Sequence, residues 1–119
     1  MATGARGEVL VEVGNERVAL LYTNRGLAEA EKAMGRSVVA VLRDAEHGIE
    51  VSQVAQLLQV GMEYARREMR AGARVYSLRD AYDLMDRIGY VAAARLVVEG
   101  VAAVLNYEAE GANDSNPPA

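Results

Sequence analysis

The chain of 119 residues has no cysteine, no tryptophan and no phenylalanine, a single histidine and only two prolines. Without cysteine there is no disulfide, no thiolate nucleophile and no cysteine-ligated metal. Both prolines, Pro117 and Pro118, sit at the extreme C-terminus, so none interrupts the body of the chain. Aromatic residues make up only 5%, and alanine is abundant, a composition that favours helices. There is no excess of basic residues: the net charge is -4, so no general attraction to nucleic acid is expected. Long apolar runs are also missing. The stretch from Ile88 to Leu105 alone approaches membrane length, and Arg95 and Glu99 interrupt it, so no membrane span is expected. Met1 to Gly7 lacks the long apolar run of a signal peptide, and a cytoplasmic location is the expectation.

What is present fits one modest domain, with 51% hydrophobic and 25% charged residues. Val9, Val11 and Val13 alternate with Glu8, Leu10 and Glu12, the period of a half-buried strand. Gly14-Asn15 tolerates the backbone of a tight turn, and Val18, Leu20 and Tyr22 then alternate with Ala19 and Leu21. The two strands predict a β-hairpin over 7–22, which needs helices or another sheet to rest on. Thr23 or Asn24 can cap a helix over about 24–34 that stops at Gly35. Ser37 can cap a short helix over 37–46. Ser52, or a start at Glu50, opens a third over 51–70, in which Gly61 permits close approach of another helix. Ser77 with Asp80 three residues on has capping-box spacing and opens a fourth over 78–88. Gly89 breaks the chain before a fifth over 90–107, which is apolar around most of its circumference. Residues 1–6 read as a flexible lead-in and 108–119 as a disordered acidic tail. The fold class expected is α+β, mostly α, with an N-terminal hairpin followed by about five helices in a single small domain over 7–107.

Chemistry is harder to find. Asp80, Asp83 and Asp86 recur every three residues, but Arg79 and Arg87 lie beside them, and a solvated polar face accounts for the spacing. His47 lies between Asp44, Glu46 and Gly48, where a helix-end residue is the simpler reading than a metal or acid–base site. Gly4, Gly7 and Gly14 are not followed by the Lys-Ser/Thr of a phosphate loop. Ser52, Ser77 and Thr23 are better caps than nucleophiles. The expected strands carry Glu8, Glu12 and Glu16 against Arg17, the wrong balance for nucleic acid. Glu63, Arg66, Arg67, Glu68, Arg70 and Arg74 read as a solvated helix end. No catalytic, metal or cofactor-binding residue is assigned, and no enzyme activity is expected.

The order of these features has a counterpart. The hairpin Gly7-Glu8-Val9-Leu10-Val11-Glu12-Val13 leads to Tyr22-Thr23-Asn24-Arg25-Gly26-Leu27-Ala28-Glu29-Ala30-Glu31 and Met34-Gly35. Val54-Ala55-Gln56-Leu57-Leu58-Gln59-Val60-Gly61-Met62 follows, then Ser77-Leu78-Arg79-Asp80-Ala81-Tyr82-Asp83-Leu84-Met85-Asp86-Arg87-Ile88-Gly89 and the alanine- and valine-rich last helix. Over about residues 7 to 107 this resembles the tail assembly chaperone family of long-tailed phages and gene transfer agents. Two departures are Gln59-Val60, where relatives often place an aromatic, and a longer, more basic Arg66 to Arg74 stretch. The resemblance implies a non-catalytic protein in the bacterial cytoplasm. It would bind the tape-measure protein transiently, promote tail-tube assembly around it, contact the major tail-tube protein and be absent from the finished particle. Self-association through the hairpin edge is a further expectation. Apolar residues suited to a partner-binding groove are Leu57, Leu58, Met62, Val97, Val98, Val101 and Leu105. Alternatives are a structural component of a phage tail or virion, and a small cytoplasmic adaptor or regulatory protein.

Overall fold

The computed structural model describes residues 8–69 and 75–115. It is a small α+β domain in which a two-stranded hairpin is followed by five helices. Strands β1 (Glu8–Val13) and β2 (Glu16–Leu21) pair antiparallel, with Val9 opposite Leu20 and Val11 opposite Val18. Gly14 adopts a φ of 60° in the turn, a left-handed conformation that glycine enters without a Cβ clash. Val9, Val11, Val13 and Leu20 are buried, and Leu10 and Glu12 face outward, as the alternation predicts. The alternation fails at the end of β2. Leu20, Leu21 and Tyr22 are buried in succession, and since consecutive strand side chains point to opposite faces, both faces are covered there.

Helices α1 (Asn24–Met34), α2 (Val38–Arg43), α3 (Val51–Met69), α4 (Leu78–Ile88) and α5 (Tyr90–Ser115) follow, with a 3-10 turn over Asp44–Glu46 after α2. Their starts rest on local hydrogen bonds that residue type dictates. The Thr23 hydroxyl accepts from the Gly26 amide at 3.0 Å, and the Ser37 hydroxyl from the Ala40 amide at 3.1 Å. Ser77 and Asp80 complete a reciprocal capping box. Ser52 does not cap α3. The helix begins before it, and the Glu50 carbonyl accepts from both Gln53 and Val54 at 3.0 Å. Gly89, with φ 92° and ψ 153°, turns the chain by 117° between α4 and α5.

The most apolar stretch of sequence, α5, is not the centre of the fold. That place belongs to α3, which packs against β2, α1, α4 and α5 and buries almost every residue from Gln53 to Ala65. Helix α5 buries one stripe, Ala93, Val97, Gly100 and Val101, at the i, i+4, i+7, i+8 spacing of a single face. One expectation, at the C-terminus, is corrected. The helix does not end at Tyr107 but continues to Ser115, through Glu108, Ala109, Glu110 and Ala112, all of them good helix formers. The lead-in expected over 1–6 lies outside the described residues, as do 116–119 of the expected tail.

Tyr22 ties the layers together. It is fully buried, and its hydroxyl donates to the Leu57 carbonyl at 2.8 Å. Its ring passes between two helical glycines. A Cβ on Gly61 of α3 would lie 2.7 Å from the ring's Cζ, and one on Gly100 of α5 would lie 2.4 Å from Cδ2. The approach expected at Gly61 is therefore that of a tyrosine ring rather than of a second helix backbone. Burial pushes the phenol's ionisation well above its usual range.

Candidate functional site

The residues expected to bind a partner fall into two groups. Leu57, Leu58, Val97 and Val101 are fully buried, and Met62 is nearly so. They are core residues, because the faces of α3 and α5 that carry them pack on each other and on the hairpin. In this fold they have no surface to offer a partner, so their assignment to a binding surface is corrected. Val98 and Leu105 are half-buried and reach solvent on the outer flank of α5.

That flank forms one wall of an open apolar groove of about 360 Å³. Tyr90, Val91, Ala94, Arg95, Val98 and Glu99 line it from α5, and Ala45, Gly48 and Ile49 from the segment after α2. The walls are held together at one end, where the Tyr90 hydroxyl donates to the Ile49 carbonyl. Val91 is 66% exposed in this lining, an apolar side chain left largely in water. The groove escapes a periodicity reading because Ala45 to Ile49 reads only as a helix end and a link. Val91, Ala94 and Val98, at spacings of three and four, were the signal available.

A second depression, of about 500 Å³, lies between the hairpin turn and α4 and is polar. Glu16, Arg17, Asp80, Asp83 and Arg87 surround it, with Met62 and Leu84 among its lining. Arg87 meets Glu16 at 3.3 Å, and Arg17 meets Glu12 at 3.5 Å, both exposed pairs that contribute little to stability.

Within the charge cluster expected as a solvated helix end, Arg67 and Glu68 are exposed, Arg70 and Arg74 lie outside the described residues, and Glu63 departs from the expectation. Glu63 is 4% exposed. Its carboxylate accepts from Arg66, from the Arg67 Nε at 3.1 Å and from the Tyr76 amide at 2.9 Å. It thereby fastens the chain leading into α4 onto α3. Arg67 also lies over the Tyr64 ring at 4.8 Å, and the Tyr64 hydroxyl donates to Glu29 of α1 at 2.7 Å. Burial and the Glu29 bond raise the Tyr64 ionisation.

The hydrogen bond from Arg66 lowers the Glu63 carboxyl from 4.5 to about 2, against the opposing effect of burial and with help from the Tyr76 amide and Arg67. A depressed carboxyl stabilises the fold above its unfolded value, and that contribution is lost as pH falls from 4.5 towards about 2. Glu63→Gln should cost about 2 kcal/mol at pH 7, the scale of hydrogen bonds to a charged group. In urea unfolding the gap between wild type and variant should shrink at pH 3. A gap of equal size at both pH values would contradict the role of the ionised carboxylate.

Other candidates are less organised. Asp80 serves the α4 cap, Asp83 and Asp86 are exposed, and His47 is exposed beside the groove. Among the described residues no group of three or more histidines, aspartates or glutamates could hold a metal ion, and no single helix is long and apolar enough to cross a membrane. No protein-family model matches the chain significantly, and neither does any curated protein or solved structure.

Proposed function

We propose that this chain is a non-catalytic tail assembly chaperone that binds a tape-measure protein transiently and releases it as the tail tube assembles. The order of hairpin, helices and glycine stops that carries the resemblance supports this reading. The observation that carries it furthest is the open apolar groove on the flank of α5, with Val91 and Val98 in its lining. A helix-in-groove contact of this size matches what a holding protein needs, enough apolar cover to keep a helix soluble and little enough to let it go. The major tail-tube protein is a second proposed partner. The exposed edge of the hairpin is a proposed surface for self-association, because a two-stranded sheet leaves an edge on each strand.

Co-expression with a candidate tape-measure protein, a long coiled-coil-rich chain, tests this. The expected result is a soluble complex on co-purification, and no copies of this chain in finished particles. A tape-measure chain that stays insoluble with no complex formed would refute the proposal. Fixed stoichiometry in mature particles would identify a structural component instead.

A further inference from the structure

The apolar groove has a charged border that narrows what can fill it. Ala45, Gly48 and Ile49 form one wall, and the chain neighbours of that wall, Glu46 and Glu50, are both exposed. Glu99 stands on the opposite wall and is also exposed. None of the three carboxylates has an ion-pair partner among the described residues, whereas Asp44 nearby is taken by Arg36 at 2.6 Å. The one cation in the lining is Arg95. On the α5 wall Arg95 offsets Glu99, so the excess negative charge comes from Glu46 and Glu50 beside the opposite wall, and an apolar floor with that border is complementary to an amphipathic helix whose apolar stripe is flanked by lysine or arginine. An acidic helix would meet like charge along the edge that carries Glu46 and Glu50.

We infer that the groove between residues 45–49 and the first three turns of α5 is a docking site for a basic-flanked amphipathic helix of a partner protein. The inference rests on the chaperone reading only for the partner's identity. The chemistry of the bound segment follows from the groove itself. Glu46, Glu50 and Glu99 select the flanking charge, and Val91, Ala94 and Val98 take the apolar stripe.

Two synthetic helical peptides provide the probe, each with leucines at i, i+4 and i+7, one flanked by lysine and the other by glutamate. Titrated into the full chain and followed by backbone amide shifts, the lysine peptide should perturb residues 45–49 and 90–99. The glutamate peptide should bind about tenfold more weakly or not at all. Glu46→Lys, Glu50→Lys and Glu99→Lys combined should invert that preference, and Val91→Gln with Val98→Gln should abolish binding of both peptides. Val91 and the three glutamates are exposed and Val98 is half-buried, so circular dichroism and urea unfolding of each variant check that the fold is kept. Failure of the lysine peptide to bind, equal binding of the two peptides, or perturbation centred elsewhere would overturn the inference. The two proposals separate cleanly. A tape-measure chain solubilised equally by wild type and by Val91→Gln/Val98→Gln removes the groove but leaves the chaperone. Peptide binding without any effect on the tape-measure chain removes the chaperone but leaves the groove.

Discussion

Gly100→Ala should destabilise the protein by about 2 kcal/mol or more, although alanine is the better helix former by about 1 kcal/mol. The added Cβ would lie 2.4 Å from Cδ2 and 2.6 Å from Cε2 of Tyr22. The ring has nowhere to go. Gly61 crowds its far side, where a Cβ would lie 2.7 Å away, and its hydroxyl is held by the Leu57 carbonyl at 2.8 Å. Either α5 moves off the hairpin or the tyrosine leaves its rotamer, and each disrupts a close-packed interior. A double-mutant cycle with Tyr22→Leu isolates the cause. With the ring gone, Gly100→Ala should become neutral or stabilising by about 1 kcal/mol, through helix propensity alone. Equal destabilisation in both backgrounds, measured by urea unfolding, would show that Tyr22 is not what requires glycine at this position.

Val97→Asp should abolish folding. Val97 is fully buried, and among the described residues no lysine or arginine is buried in the core. Burial of an unpaired charge ranks among the largest single-residue effects, above about 4 kcal/mol, and small domains have only about 5–15 kcal/mol in total. Val91→Asp on the same helix should change stability by no more than about 0.5 kcal/mol, because Val91 is 66% exposed. Circular dichroism with urea unfolding of both variants checks the pair. A folded Val97→Asp protein of normal stability would mean that α5 does not pack on α3 through this face. The contrast also separates core from surface, which sequence left joined: Val97 is buried in the core, and Val91 is open to solvent.

Features that depend on near neighbours were legible in the chain. Thr23, Ser37 and the Ser77–Asp80 pair each bond within three residues, so their roles are written in local spacing. Gly35, at φ 68°, ends α1 for the same kind of reason. The hairpin register follows from a two-residue alternation and a turn that admits positive φ. Glu63 was not legible. A glutamate near three arginines on a polar helix end is ordinarily solvated, and its partner Tyr76 is 13 residues away. Nor was the face of α5 legible, since alanine at Ala92, Ala93 and Ala94 is compatible with core and with surface alike.

By itself, then, the amino-acid sequence determined the elements and their order. Helix and strand periods, caps and glycine stops act over a few residues, and each can be read without knowing what lies across the core. The tertiary structure alone decided that α3 and not α5 is the centre, and that the Tyr22 ring fills the space between Gly61 and Gly100. It also decided that Val91, Ala94 and Val98 line an open apolar groove, whereas Leu57, Leu58 and Val101 are core. The physical reason is that burial belongs to pairs of surfaces. A helix with two apolar faces states that both want cover, and only the packing of the other elements settles which face receives it.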